Sequence, residues 1–126
     1  MPKAPRWETA AKDEDYDAAA TYLSLFLTPD RASHLANGLK KSPVVQYRAN
    51  DLLRASRLPL LSTDDPEVVK DLKKVKKGNK LSAVLLVRGN MGDGHLTVAD
   101  GYHRICASYH LDPDSLIPCR TGDYSG

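Results

Sequence analysis

The first third of the chain carries apolar residues at helical spacing. An amphipathic helix is predicted from Asp15 to about Leu27, because apolar positions recur every three or four residues there. Thr28 and Pro29 then form a typical helix start, and the second helix is expected to end near Lys40. We expect this helical hairpin to pack over a core, and a partner-binding role is the alternative. The apolar positions of its first helix are Tyr16, Ala19, Tyr22, Leu23 and Phe26.

Strand-like segments alternate with helices after the hairpin. Val44–Arg48 predicts a strand, because it is rich in β-branched and aromatic residues. Asp65 followed by Pro66 predicts the N-cap and first residue of another helix. The run Leu81–Arg88 is too apolar for a strand with one solvated face, so it predicts a central strand covered on both sides.

Three more elements are predicted near the end of the chain. A glycine-rich linker at 89–94 leads into a strand at 95–99 and predicts a hairpin with the central strand. A helix is expected to begin after Gly101 and to end near Leu111. A short last strand is expected at 116–120, and Pro118 predicts that this strand lies at a sheet edge.

These elements predict the α/β class, of the α+β type, with a small mixed sheet and surrounding helices. The 126 residues suffice for one modest core. We expect residues 1–43 to form an N-terminal arm and the helical hairpin, and residues 44–126 to form the core domain. The arm at 1–14 has little apolar content and is expected to be mobile or loosely docked.

Charge and cysteine content narrow the class of protein. Eighteen basic and 16 acidic residues give a net charge of +2, which is too balanced to imply nucleic-acid binding by itself. The two cysteines, Cys106 and Cys119, fit a reducing compartment better than a secreted disulfide scaffold. No apolar run approaches the ~20 residues of a membrane span. We therefore expect a cytoplasmic protein with no membrane partner.

The candidate functional site lies in the turn from Asp100 to Arg104. A strand that passes through Gly101 into a helix presents free backbone N–H groups and the positive end of the helix dipole. His103 and Arg104 add two cationic or hydrogen-bonding side chains in the first helical turn. This combination predicts an anion site, most simply for phosphate. The alternative is that Asp100 caps the helix and pairs with the cations without any ligand.

The order of these segments resembles the ParB N-terminal domain and sulfiredoxin superfamily over about residues 44–121. The most specific element is Gly101-Tyr102-His103-Arg104, which is similar to the Gly-Cys-His-Arg signature of sulfiredoxins. It is similar, more loosely, to the Gly-Glu-Arg-Arg box of ParB proteins. The flanking segments that occur in the same order are Leu58-Pro59-Leu60, Asp65-Pro66, Val84–Gly89 and Ile117-Pro118-Cys119.

The resemblance implies a nucleotide site. In that superfamily this turn binds the phosphates of ATP or CTP, so the resemblance implies phosphate binding by Gly101, His103 and Arg104, and we expect ATP or CTP with Mg²⁺ as the ligand. Tyr102 is expected over the sugar, base or acceptor. Because Tyr102 replaces the sulfiredoxin cysteine and the ParB glutamate, the chemistry of neither branch transfers. Weak nucleotide hydrolysis or phosphotransfer is therefore a hypothesis without an assigned nucleophile.

Further residues have supporting roles in this hypothesis. Lys73 adds positive potential, and Asp93 is either a turn residue or a ligand of Mg²⁺. The lysines between Lys70 and Lys80 give the second hypothesis, a non-catalytic DNA- or protein-binding module, although a solvated helix face also explains them. Cys106 is most simply a small buried hydrophobe, and a reactive thiol is the alternative.

Overall fold

The computed structural model describes residues 5–89 and 95–124 of the chain. Within these ranges the protein has the predicted α+β class, with five helices and six strands. The helices are α1 (Asp13–Leu23), α2 (Pro29–Leu39), α3 (Ala49–Ser56), α4 (Pro66–Lys76) and α5 (Tyr102–Leu111). The strands are β1 (Arg6–Trp7), β2 (Val44–Arg48), β3 (Lys80–Leu81), β4 (Val84–Arg88), β5 (Thr97–Asp100) and β6 (Leu116–Asp123).

The main sheet has four strands in the order β2-β6-β4-β5. β6 runs antiparallel to β2 and parallel to β4, which makes the sheet mixed as predicted. β4 and β5 are antiparallel neighbours, as the predicted hairpin requires. The linker residues 90–94 lie outside the described ranges. β1 and β3 form a separate parallel pair.

Strand β4 is covered on both faces, as its continuous apolar sequence predicts. Val84 and Leu86 belong to a hydrophobic cluster with residues of α3, α4 and α5. Leu85 and Val87 point to the other face, where they pack in a second cluster with residues of α1 and α2. All four side chains are fully buried, and each such burial contributes about 1.5–3 kcal/mol. The sheet is therefore the middle of three layers.

Two helix starts have the predicted caps. The Thr28 side chain accepts a hydrogen bond from the amide of Arg31, and Pro29 is the first residue of α2. The Asp65 carboxylate accepts from the amides of Glu67 and Val68, 3.0 and 3.2 Å away, at the start of α4. None of the described helices combines the length and apolar content needed to cross a membrane.

The prediction for the last strand was wrong in its length and its place. β6 extends to Asp123 and lies inside the sheet, between β2 and β4. Pro118 is tolerated there because β6 pairs with β4 only from Cys119 onward, while Pro118 itself lies opposite Gln46 of β2. At Pro118, β6 is paired with β2 alone, so the missing N–H does not interrupt the hydrogen bonds between β6 and β4.

The N-terminal segment makes defined contacts with the core, and the last residues of the expected arm, Asp13 and Glu14, already belong to α1. β1 pairs with β3, and Trp7 packs against the cluster that contains Val84 and Leu86. The Arg120 Nε donates to the carbonyl of Thr9 at 3.1 Å, which fastens the segment to β6. A lone tryptophan supplies enough apolar area to dock a polar segment.

The first helix is shorter than predicted. α1 ends at Leu23, and residues 24–27 continue as tight turns. Tyr16, Ala19 and Leu23 are buried as expected, but Tyr22 and Phe26 are 40% and 54% exposed. Both α1 and α2 contribute to the cluster around Leu85 and Val87. A domain boundary at residue 43 stays a prediction.

Candidate functional site

The candidate site is the junction between β5 and α5. Gly101 is the residue before the first turn of α5 and has φ of 110°, a conformation that favours glycine. A Cβ at this position would lie 2.8 Å from Val84 Cγ2 and 3.0 Å from Arg104 Nη2. Glycine is therefore required here for backbone conformation and for packing against β4, independently of a ligand.

Over residues 5–89 and 95–124, no side chain caps the first turn of α5. Gly101 cannot supply one, and no acidic residue occurs in this turn. In contrast, Thr28 and Asp65 cap α2 and α4, and the first two amides of α3 donate to the carbonyls of Ser115 and Pro113. The α5 N-terminus thus keeps the positive partial charge of its first amides without a carboxylate cap.

Arg104 is turned toward the protein. Its Nη2 donates to Asp100 Oδ2 at 3.0 Å and to the Ala83 carbonyl at 3.2 Å. The two side chains are only 16% and 20% exposed. Arg104 Nε is buried without a hydrogen-bond partner within the described ranges. Of the two alternatives for these residues, the internal ion pair is present, but Asp100 does not cap α5.

Asp71 of α4 is a charged residue of this region that the sequence analysis did not select. It is buried, and burial raises the pKa of its carboxyl group, while Lys74, Arg104 and His103 oppose the rise. Burial likewise raises the pKa of Asp100, against the effect of Arg104. Two partly desolvated carboxylates therefore lie near the cations of the α5 turn. The signal for Asp71 was its position on the apolar stripe of α4, between Val68 and Val75.

Tyr102 and His103 are half-buried neighbours at the start of α5. Their ring centroids are 5.6 Å apart, with the planes tilted by 37°. The Tyr102 hydroxyl donates to the Pro59 carbonyl, and burial raises its pKa. The tyrosine is thereby attached to the segment before α4 and is not an activated nucleophile.

Of the three supporting residues, Asp100 is paired with Arg104, Lys73 is exposed on α4, and Asp93 lies outside the described ranges. The lysine beside a site carboxylate is Lys74, whose Nζ is 3.9 Å from Asp71. Over residues 5–89 and 95–124 there is no group of three or more His, Cys, Asp or Glu side chains that could hold a metal ion.

Both cysteines are free thiols in the core. Cys106 packs in the cluster with Val84 and Leu86, as expected for a small hydrophobe, and burial raises its pKa. Burial raises the pKa of Cys119 to about 12. Because the thiolate is the reactive form, neither side chain is suited to nucleophilic chemistry in the folded protein.

The lysines between Lys70 and Lys80 form an exposed face, which we call the lysine face. Lys70 and Lys74 have acidic neighbours on α4, since Lys70 Nζ is 3.2 Å from Glu67 and Lys74 Nζ is 3.9 Å from Asp71. The full set is Lys70, Lys73, Lys74, Lys76, Lys77 and Lys80, all exposed. Positive charge at this end of α4 also suits the helix dipole.

The comparisons with known proteins add no family to this picture. Protein-family models, curated proteins and solved structures were compared with the chain, and none of them matches it. The resemblance to the ParB and sulfiredoxin superfamily stays a prediction from the residues that carry it.

Proposed function

We propose that this protein binds a phosphate-bearing small molecule, a nucleotide such as ATP or CTP, at the N-terminus of α5. The observation that carries the proposal is the first turn of α5, which contains no acidic residue and, among the residues that the structure describes, has no capping side chain. Backbone amides at such a helix end donate to phosphate oxygens. The similarity of Gly101-Tyr102-His103-Arg104 to a phosphate-binding turn supports the same assignment.

His103 is the side chain that we assign to the ligand. It lies half-buried in the first turn, and an imidazole donates more strongly to an anion when it is protonated. Arg104 is already held by Asp100, so a phosphate group would have to compete with that carboxylate for the guanidinium. Mg²⁺ would offset the repulsion between a triphosphate and the carboxylates of Asp71 and Asp100.

The proposal is one of binding and assigns no reaction. Tyr102 occupies the position of the nucleophile in the similar sulfiredoxin signature, but its hydroxyl donates to the Pro59 carbonyl and its pKa is raised. The two thiols are buried in the core. We therefore place no nucleophile at the turn.

Thermal shift and calorimetric titration with ATP, CTP, GTP and UTP, each with and without Mg²⁺, test the proposal. A ligand that binds only the native state raises its unfolding temperature. His103→Ala is expected to weaken binding about tenfold, because it removes a hydrogen bond to a charged group. His34→Ala is the matched control, since His34 is exposed on α2. Absence of any shift in the wild-type protein would refute the proposal, and so would unchanged affinity in His103→Ala.

Arg104→Ala is a less informative variant. It would leave Asp100 with little solvent and without its guanidinium partner, so the protein is expected to lose about 1–3 kcal/mol of stability whatever it binds. A loss of ligand binding in this variant would therefore not distinguish contact from misfolding. His103 is the better residue to substitute, because within the described ranges its side chain forms neither an ion pair nor a hydrogen bond, and its ring lies beside that of Tyr102.

The exposed lysine face favours one second candidate, binding of a polyanion such as DNA. Binding of a short DNA duplex through these lysines should weaken steeply as salt is added and should survive His103→Ala. A nucleotide site at α5 should instead discriminate among bases and lose affinity in His103→Ala. The same variant thus separates the two functions.

A further inference from the structure

A cavity of about 310 Å³ lies away from the α5 turn, between α3 and the main sheet. Its lining includes Arg88 at the end of β4 and Thr121 near the end of β6. β4 and β6 are parallel neighbours, and clefts at the carboxyl ends of parallel strands are recurrent ligand sites. No residue of the Gly101–Arg104 turn belongs to the lining.

The interior of this cavity is apolar and defined by fixed elements. Tyr47, Leu52 and Leu96 line it together with Ala55, whose small side chain is exposed at the rim. The Leu96 amide donates to the Ala55 carbonyl at 3.1 Å, which holds the start of β5 against the end of α3. An apolar cavity of about 150 Å³ is enough to bind benzene, so this one has room for a larger ring system.

The charged groups on the lining differ in their remaining hydrogen-bonding capacity. Arg88 Nε donates to Asp123 at 3.1 Å, and within the described ranges the other nitrogens of this half-exposed guanidinium donate no hydrogen bond. Asp51 is already beside Arg54, with 3.8 Å between Oδ1 and Nη1. The lining therefore offers unused donors to an anion, and a planar guanidinium suits a carboxylate.

From this combination we propose that the cavity binds a small molecule with an aromatic body and a carboxylate head group. The ring enters between Tyr47 and Leu52, and the carboxylate accepts hydrogen bonds from Arg88. This site is independent of the nucleotide site, so His103→Ala is expected to leave it unchanged.

Three probes of similar ring size but different head group test the proposal: indole-3-carboxylate, indole and tryptamine. Titrations of ¹⁵N-labelled protein should move the amide signals of Ala55, Leu96 and Thr121, with the carboxylate binding most tightly. Arg88→Gln should weaken binding of the carboxylate about fivefold and leave indole unchanged, as expected for a partly exposed charge pair.

The cavity itself is tested by filling it. Ala55→Leu should weaken all three probes, because the larger side chain covers the rim, whereas Ala18→Leu on the exposed face of α1 should weaken none. Both positions are exposed helical alanines, so both variants are expected to fold, and their ¹⁵N spectra check this. Failure of every probe to move these three signals would overturn the proposal. Tighter binding of tryptamine, or equal binding of the three probes, would overturn the assignment to a carboxylate.

Discussion

Asp71 shows how a single charged residue can occupy an apolar position. It lies three residues after Val68 and four before Val75, so helical geometry directs it to the same buried side of α4. The spacing in the sequence therefore indicated that Asp71 is buried, although the neighbouring lysines made this part of the helix look exposed. The sequence could not indicate that Arg104 and His103 of another helix lie close enough to oppose the rise that burial causes in its pKa. That proximity depends on how α4 packs against α5.

The raised pKa of Asp71 predicts a specific pH dependence of stability. Above its ordinary pKa of 3.8 the unfolded chain loses the proton first, so the folded state binds more protons and its stability falls as pH rises through the folded pKa. Asp71→Asn removes this cost. The stability of the variant relative to the wild type should therefore be greater at pH 7 than at about pH 3. Urea titration at both pH values measures the difference in free energy of unfolding. Asp114→Asn, at an exposed loop position, should show no such gain. An equal difference at both pH values would contradict the prediction.

The prediction of helices and strands succeeded where the interactions that determine them are local in sequence. The caps at Thr28 and Asp65 and the apolar run of β4 depend on residues close in sequence, and all three have the predicted structure. The prediction failed where contacts with residues distant in sequence determine the structure. Pro118 predicted an edge strand. The pairing of β6 with β4 begins one residue later, at Cys119, so the missing N–H of Pro118 does not interrupt it. The short β1 forms because Trp7 pairs with Leu81 of β3 and packs against the hydrophobic cluster that contains Val84 and Leu86.

In the candidate site, too, features that depend on local sequence could be predicted, and features that depend on distant contacts could not. The strand-to-helix turn and the conformation of Gly101 could be predicted from local sequence, since β5 ends and α5 begins on either side of it. The orientation of Arg104 could not, because one of its two acceptors is the carbonyl of Ala83, 21 residues earlier. Sequence alone left the internal ion pair and the ligand contact as open alternatives.

The N-cap of α4 gives a testable prediction about stability. Asp65→Ala removes the carboxylate that accepts from the amides of Glu67 and Val68, so the protein should lose about 1 kcal/mol of stability. Chemical denaturation measures the loss. Asp64→Ala is the matched control, because Asp64 is exposed and does not cap the helix. An equal loss in both variants would mean that general charge, and not the cap, causes the effect.

The main sheet separates two hydrophobic clusters. The cluster with α1 and α2 contains Leu85 and Val87, and the cluster with α3, α4 and α5 contains Val84 and Leu86. Consecutive residues of β4 thus belong alternately to the two clusters, so neither cluster can lose its packing without disturbing the strand that supports the other. We therefore expect the two sides of the sheet to unfold together.

Leu39→Ala tests this coupling. Leu39 is fully buried in the cluster with α1, whereas Trp7 packs against the cluster on the opposite face. The substitution leaves a cavity and should cost about 2–5 kcal/mol. If the sheet couples the clusters, the loss will appear equally in the fluorescence of Trp7 and in the far-ultraviolet circular dichroism, as one coincident transition. A Trp7 transition that stays at its wild-type midpoint while the helical signal moves would show that residues 13–39 unfold as a separate unit.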